Sequence, residues 1–315
     1  MRALITGAAG FVGSHLADVI HTETDWQIWG TILGVEDPRS VPVDGSILKV
    51  DLRDPDQVRA AIEQAQPDFI FHLAGQAYVP QSWNDPWATY ETNIRSQLNL
   101  LQAVSAIGLR PKIMVVGSNE EYGWVSESDL PIDEDTPLRP NSPYSVSKIA
   151  QDFMGLQYFL DRDLPVVRVR PFNHIGPRQN ERFVAPSFAK QIIEIERGLK
   201  PPVLKLGYMS ARRDFTDVRD MCRAYILAVQ KGEPGEMFNI GSGQARSVRE
   251  LLDMMLAHSS IKVTEEADPS KMRLSDVPVS YCDPTKFKQR TGWEPRITFE
   301  QTVIDILDDW RERIK

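Results

Sequence analysis

Short apolar runs alternate with amphipathic stretches over the first half of the chain. The apolar runs lie at residues 3–6, 27–31, 47–50, 69–73, 113–116 and 166–169. Runs of this length are consistent with strands buried on both faces. Between them, apolar residues recur with helical spacing, most clearly at Ile149, Phe153, Leu156 and Leu160. The alternation predicts an α/β fold, with a parallel sheet covered by helices on both faces.

The pattern loosens after Pro171, where proline and glycine become more frequent. We predict a smaller, irregular α/β domain there, formed by residues 173–213 and 243–315. Residues 214–242 include another amphipathic helix, and we expect this segment to return to the first domain, residues 1–172.

Glycines follow the first apolar run at a spacing that suits a bound phosphate. Gly7 permits a tight turn, and Gly10 lets a pyrophosphate approach the backbone where a helix begins. Phe11 and Val12 open that helix, and Gly13 allows it to pack closely on the strand. Because a strand precedes the turn and a helix follows it, we interpret the turn as a dinucleotide site rather than a plain connection.

The second predicted strand ends at Thr31 without a carboxylate. An acid at this place holds the ribose of NAD, and its loss beside an arginine suggests NADP. Arg39 is close in sequence, so we slightly favour NADP(H) over NAD(H), although a solvated loop charge explains Arg39 as well. Asp51 and Leu52 follow the third strand and could contact adenine; Asp51 could equally cap the next turn.

Tyr144 and Lys148 are four residues apart in a helix predicted to begin after Pro143. This spacing places both side chains on one helix face. A neighbouring ammonium is expected to favour the phenolate and lower the pKa of Tyr144, which makes the phenol a usable acid or base. The spacing alone is common, but together with the glycine turn it is specific.

The glycine turn and the Tyr-x-x-x-Lys pair resemble the extended short-chain dehydrogenase/reductase superfamily, and the resemblance covers essentially the whole chain. It implies a Rossmann-type, doubly wound parallel sheet, a substrate-binding domain and NAD(P)H as cofactor. Ser118 matches the catalytic hydroxyl of the superfamily, and Lys148 would also hold the nicotinamide ribose. Further cofactor contacts are expected after the fourth and sixth strands, at Leu73, Ala74, Gly75 and Pro171.

Motifs in the second half resemble the nucleotide-sugar branch of this superfamily. They include Arg170–Pro177, Arg213–Asp220, Asn239–Gly243 and Arg273–Pro278. By resemblance, the diphosphate of the substrate would be held by Asn173, Arg213 and Arg273, and a planar guanidinium suits phosphate. Taken singly, each arginine would be better explained by a surface ion pair. Other expected substrate contacts are Gln76, Tyr78, Val184 and Lys190.

Within this branch the chain is most similar to reductases. The resemblance implies NAD(P)H-dependent reduction of the C4 ketone of GDP-4-keto-6-deoxy-D-mannose to GDP-D-rhamnose. Tyr144 would protonate the developing alkoxide, and Ser118 would donate a hydrogen bond to the same oxygen.

Glu120 keeps two other reactions open. Related 4,6-dehydratases carry a glutamate at this offset that removes the C5 proton, so a GDP-mannose 4,6-dehydratase, a lyase, is one alternative. A nucleotide-sugar 4-epimerase is another, because it would use the same Tyr144 and Ser118. The short chain and the segment His174–Pro177 favour the reductase, in which Glu120 would belong to the catalytic site without abstracting a proton.

Charge and cysteine content narrow the classes of partner. With 36 basic and 44 acidic residues, the formal charge is −8, which argues against nucleic-acid binding through the overall field. Cys222 and Cys282 are too few for a disulfide framework or a Cys-rich zinc site, and the histidines lack metal-ligand spacing. We therefore expect no metal and no nucleic acid, while the resemblance implies a GDP-sugar as the small-molecule partner.

No apolar run is long enough for a membrane span or a secretory signal. We therefore expect a cytoplasmic protein without a membrane partner. The resemblance to the superfamily also implies a homodimer, paired through helices near residues 88–107 and 144–160.

Overall fold

Helices and strands alternate along the first half of the molecule. The structure, a computed structural model, describes residues 1–34, 41, 45–269 and 277–315. In chain order, the elements up to the sixth strand are β1 (Arg2–Thr6), α1 (Phe11–Glu23), β2 (Gln27–Ile32), β3 (Ile47–Lys49), α2 (Pro55–Ala65), β4 (Phe69–His72), α3 (Val79–Asn84), α4 (Pro86–Tyr90), α5 (Ser96–Ile107), β5 (Lys112–Val116), α6 (Pro143–Arg162) and β6 (Val166–Pro171). A π-helical segment, Glu91–Arg95, joins α4 to α5, and a 3₁₀ turn, Asn119–Glu121, follows β5.

The second half has shorter elements. They are β7 (His174–Ile175), α7 (Val184–Glu196), β8 (Val203–Leu206), β9 (Arg212–Asp214), β10 (Thr216–Asp217), α8 (Val218–Lys231), β11 (Met237–Ile240), β12 (Ala245–Ser247), α9 (Val248–Ala257), β13 (Thr264–Ala267), β14 (Val279–Ser280), α10 (Thr285–Thr291) and α11 (Phe299–Arg313).

Seven parallel strands form the main sheet, in the order β11-β6-β5-β4-β1-β2-β3. Each of the six apolar runs forms one of these strands, so the predicted doubly wound parallel sheet is confirmed. The seventh, β11, pairs with β6 at one edge and follows α8. Where one domain ends and the other begins stays a prediction.

Apolar side chains fill both sides of the sheet. On one side, Leu16 of α1 and Tyr225 of α8 pack with Phe71 of β4. On the other, Ile62 of α2 and Leu101 of α5 belong to a second cluster. Because both faces are covered, the strands can be almost wholly apolar, as the runs in the sequence are.

The smaller part of the molecule has its own core. Helices α7, α9 and α11 pack around a third apolar cluster. Three small sheets lie beside it, β10-β7, β12-β9-β14 and β13-β8. Among the described residues, no helix is long and apolar enough to cross a membrane, and no group of three or more His, Cys, Asp or Glu side chains could hold a metal ion.

A buried ion cluster ties α6 to the sheet. Asp152 of α6 is 1% exposed, and Arg168 and Arg170 of β6 are also buried. The Nη1 group of Arg168 donates to Oδ1 of Asp152 at 2.9 Å, and Nε of Arg170 donates to Oδ2 at 3.0 Å. One carboxylate thus bridges two buried guanidinium groups.

Replacing Asp152 with alanine is expected to destabilise the protein severely. The change leaves Arg168 and Arg170 buried without this shared partner, which typically costs roughly 3–5 kcal/mol. Urea unfolding would measure the loss. Glu63→Ala is the control, because its ion pair with Arg59 on α2 is exposed and such pairs contribute little. A change at Asp152 no larger than the control would contradict the account.

Candidate active site

Three predicted catalytic residues meet at the carboxyl end of β5. Ser118 follows that strand, Tyr144 lies in the first turn of α6, and Lys148 lies one turn further on. All three are buried. The Nζ group of Lys148 donates to the carbonyl oxygen of Val116 at 2.8 Å and lies 5.9 Å from the centre of the Tyr144 ring.

The start of α6 orients the pair. The Ser142 side chain accepts from the Ser145 N–H at 3.1 Å and caps the helix, and Pro143 occupies its first turn. The helix therefore begins at a defined residue. From there Tyr144 and Lys148 face the sheet, while Val146 is exposed.

Burial decides the ionisation of these groups. Burial raises the pKa of Tyr144, and a hydrogen bond with the Ser118 side chain offsets this only in part. The expectation that Lys148 lowers the pKa of Tyr144 is wrong for this structure, because burial has the larger effect and the ammonium is directed to Val116. Burial also lowers the pKa of Lys148, to about 8. Tyr144 is therefore protonated near neutral pH and able to donate a proton.

Three glycines, Gly7, Gly10 and Gly13, leave the backbone at the start of α1 without side chains that would cover it. Gly7 has a φ of +67°, a conformation that favours glycine. A Cβ on Gly13 would lie 2.3 Å from the Gly7 carbonyl oxygen, so helix and turn approach as closely as predicted. Gly10 is the N-cap and supplies no side-chain hydrogen bond. The helix end can therefore receive a pyrophosphate beside Phe11 and Val12.

Thr6 joins the glycine turn to the segment after β4. Its hydroxyl oxygen accepts from the backbone N–H groups of Leu73 and Ala74, both at 3.0 Å, and lies 3.0 Å from Nδ1 of His72. A Cβ on Gly7 would lie 3.1 Å from Cα of Ala74. The structure therefore brings the first and fourth strand ends together, as a shared cofactor site requires.

Asn93 is a site residue that the sequence analysis missed. It is fully buried; its Oδ1 accepts from the Gln76 N–H at 2.8 Å, and its Nδ2 donates to Oγ of Ser147 at 2.9 Å. A Cβ on Gly75 would lie 3.0 Å from the same Oδ1. Asn93 therefore holds the segment after β4 against α6. The sequence did carry one signal for Asn93, because asparagine is unfavourable inside a helix and this position lies in a predicted one. In the structure the helix is π-helical at Asn93.

The predicted adenosine end is only partly described. Thr31 is buried at the end of β2, and Arg39 lies outside the described residues. Asp51 is engaged by Arg53, which donates from Nε to Oδ1 and from Nη2 to Oδ2, and these bonds lower the pKa of Asp51. The Leu52 carbonyl oxygen accepts from an asparagine side chain of α5. An adenine contact by Asp51 or Leu52 stays a prediction.

One predicted substrate residue carries an orphaned polar atom. Oδ1 of Asn173 is buried without a hydrogen-bond partner, directly after Pro171 and Phe172 at the end of β6. Burying such an atom unpaired costs free energy. A ligand hydrogen bond at Asn173 would remove that cost.

The other predicted substrate residues are spread over several elements. Arg213 lies on β9, and its Nη1 donates to a backbone carbonyl; Arg273 lies outside the described residues. The ring of Tyr78 meets Phe183, the residue before Val184, edge-on with centroids 5.8 Å apart. The Oε1 atom of Gln76, another predicted substrate contact, accepts from the Tyr78 backbone N–H.

Lys190 is placed further along α7 than the other predicted contacts. Its ammonium pairs with Glu181 and lies 5.9 Å from the ring of Trp310. A substrate contact at Lys190 would compete with this ion pair, so its role stays a prediction.

Glu120 lies in the 3₁₀ turn that begins after Ser118. Its backbone N–H donates to Oγ of Ser118 at 3.1 Å, and its charge contributes to the raised pKa of Tyr144. The Glu120 carboxylate therefore acts electrostatically on Tyr144, and whether it serves as a base or as a positioning group stays a prediction.

Comparisons with known proteins agree with this arrangement. The family model for GDP-mannose 4,6 dehydratase matches residues 4–306. GDP-6-deoxy-D-mannose reductase from Pseudomonas aeruginosa is 36% identical over all of this chain and 98% of its own length. GDP-mannose 4,6-dehydratase from Vibrio cholerae is 28% identical over 97% of this chain and 92% of its own.

Solved structures show the same fold. RMD from Pseudomonas aeruginosa complexed with NADPH superimposes with a TM-score of 0.89 at 35% identity, covering 99% of both chains. UDP-glucose 4-epimerase from Thermus thermophilus, complexed with NAD, gives 0.88 at 30% identity and covers both chains fully. With its parallel sheet, its glycine turn and its Ser–Tyr–Lys set, the chain belongs to the GDP-mannose 4,6-dehydratase family of extended short-chain dehydrogenases/reductases.

Proposed function

We propose that the protein is an NAD(P)H-dependent nucleotide-sugar reductase that converts GDP-4-keto-6-deoxy-D-mannose to GDP-D-rhamnose. The observation that carries the proposal is the full-length likeness, at 36% identity, to a GDP-6-deoxy-D-mannose reductase. The GDP-mannose 4,6-dehydratase relatives are less similar, at 26–28%. The Ser118, Tyr144 and Lys148 set supplies the chemistry that such a reduction needs.

The reduction adds a hydride to C4 and a proton to its oxygen. When bound, the reduced nicotinamide supplies the hydride. Tyr144, whose phenol is protonated near neutral pH, donates its proton to the ketone oxygen as negative charge develops. Ser118 donates a hydrogen bond to the same oxygen. Lys148, one helical turn from Tyr144, would hold the nicotinamide ribose.

The cofactor site fits a dinucleotide and slightly favours NADPH. Gly7, Gly10 and Gly13 leave the backbone at the start of α1 open to a pyrophosphate. Thr31 at the end of β2 provides no carboxylate for an adenosine 2′-hydroxyl, and Arg39 follows in the sequence. The likeness to an NADPH-bound structure supports the same preference.

A GDP-mannose 4,6-dehydratase is the second candidate. Glu120 favours it, because its carboxylate lies close enough to Tyr144 to contribute to the raised pKa of the phenol. In a dehydratase that carboxylate would remove the C5 proton and the cofactor would be regenerated in each turnover. Net consumption of reduced cofactor distinguishes the two functions.

We further propose a homodimer paired through α6, working in the cytoplasm. Val146, Phe153 and Leu160 recur every seven residues on its outer face and are 43%, 51% and 72% exposed. An apolar stripe of this kind marks an interaction surface.

Phe153→Glu combined with Leu160→Glu is expected to produce monomers in analytical ultracentrifugation, because the two carboxylates would interrupt this stripe. An unchanged dimer, or a wild-type protein that is monomeric, would refute this pairing.

The proposed cytoplasmic location is supported by the two cysteines, Cys222 and Cys282. Both thiols are free and buried, which suits a reducing compartment.

Mixing the protein with GDP-4-keto-6-deoxy-D-mannose and excess NADPH or NADH tests the proposed reaction. We expect absorbance of the reduced nicotinamide to fall by one equivalent per sugar, and NADPH to be used faster. No oxidation, with the 4-keto sugar formed from GDP-mannose instead, would reject the reductase and establish the dehydratase.

Tyr144→Phe tests the assignment of the proton donor. Removing the hydroxyl is expected to lower kcat by about 10²–10⁴, the range of general acid catalysis, while substrate affinity stays close to wild type. Steady-state kinetics and calorimetric binding would separate the two effects. Tyr158→Phe is the matched control on the same helix, and it should keep full activity. Normal turnover in Tyr144→Phe would refute the assignment.

A further inference from the structure

A second glutamate lies behind the catalytic serine, and the mechanism above does not use it. Glu121 is fully buried, and its Oε1 accepts from the backbone N–H of Ser118 at 2.8 Å. A Cβ on Gly117 would lie 2.1 Å from the same oxygen, so residue 117 must be glycine for Glu121 to occupy this position. Glycine before the serine and glutamate after it thus form one local unit.

The carboxyl group is fixed in direction by the ion cluster. Nε of Arg170 lies 2.9 Å from Oε2 of Glu121, while its hydrogen is donated to Asp152. Oε2 therefore has an ion-pair contact without a hydrogen bond. The Nη1 group of Arg170 donates to the hydroxyl of Tyr122, which in turn donates to Asn239. Because Arg170 is held on several sides, Glu121 has a fixed counter-charge.

This arrangement determines what the Ser118 side chain can do. The Ser118 backbone is extended, with φ −165° and ψ 150°, and its N–H is satisfied by Glu121. Its Oγ accepts from the Glu120 N–H, which leaves the hydroxyl hydrogen available for donation. The hydroxyl is thereby held beside Tyr144, and hydrogen bonding with it lowers the pKa of that phenol against the larger effect of burial.

We propose that Glu121 is the positioning residue of the catalytic serine: held by Arg170, it accepts the Ser118 N–H and so keeps the Ser118 hydroxyl directed at Tyr144 and the substrate oxygen. This inference rests on the proposed function only in taking Ser118 as catalytic. A carboxyl oxygen accepts an N–H in both its charged and its neutral form. The acceptor at this position acts on Ser118, and the charge serves to hold the side chain against Arg170.

Five single substitutions and one double variant test the inference. Glu121→Gln keeps an acceptor without the charge, whereas Glu121→Leu removes the acceptor. Glu121→Met fills the site with little acceptor strength and serves if the leucine variant does not fold. Ser118→Ala is combined with Glu121→Leu in a double-mutant cycle. Glu250→Leu is the matched control. Its side chain accepts from the backbone N–H of Ser247, three residues earlier, as Glu121 does from Ser118, but at the exposed start of α9.

We expect Glu121→Leu, or the methionine variant, to lose about 10- to 100-fold in kcat with little change in KM, the scale of a misplaced catalytic group. Glu121→Gln should lose clearly less kcat than Glu121→Leu, because it keeps the acceptor and gives up only the ion pair with Arg170, and the Glu250 control should turn over like wild type. In the Ser118→Ala background the leucine change should have no further effect on kcat. Additive losses, a glutamine variant as slow as the leucine variant, or a leucine variant with full activity would each overturn the proposal.

A second readout separates this inference from the proposed function. If the wild type consumes no cofactor, the reductase proposal has failed. The amide proton resonance of Ser118 then tests the positioning role of Glu121 independently of turnover. In ¹⁵N-serine-labelled protein it should lie downfield in wild type and Glu121→Gln and move upfield in Glu121→Leu. A resonance that does not move would refute the positioning role.

Discussion

One buried carboxylate, Asp152, connects the two halves of the proposed catalytic set. Tyr144 and Lys148 belong to α6, whereas Ser118 belongs to the turn after β5. Asp152 joins α6 to the two arginines of β6, and Arg170 extends the cluster to Glu121 behind the serine. An ion cluster buried in this way tolerates little displacement, because separation would leave charges without partners. The reacting groups therefore sit on a connected frame rather than on independent loops.

Burial determines the protonation state of Tyr144 within that frame. Tyr144 is removed from water, and its pKa is raised, so the phenol carries its proton when a ketone arrives. Hydrogen bonding with Ser118 moderates this effect, and in the proposed reaction the Ser118 hydroxyl is the second donor to the ketone oxygen. Reductases, dehydratases and epimerases share the fold, so the reaction must be decided by groups around the shared set. Glu120 is the group whose role separates the first two.

The sequence predicted most of the sheet because its strands are buried on both faces and have to be apolar. It predicted the pairing of Tyr144 with Lys148 because their spacing fixes a common helix face. Asn93 and Glu121 escaped notice because their partners, Gln76, Ser147 and Arg170, come from other elements. The arginines of β6 did carry a signal, since a charge inside an apolar strand requires a buried counter-charge. Which residue provides it could not be known before α6 was packed on the sheet.

Net hydride transfer to C4 is the central claim, and isotopic labelling tests it most directly. The protein would be incubated with GDP-4-keto-6-deoxy-D-mannose and NADPH stereospecifically deuterated at C4 of the nicotinamide, once for each face. The account predicts that one of the two cofactors places a single deuterium at C4 of the sugar product, seen by NMR. Deuterium at no sugar carbon with either cofactor would contradict it.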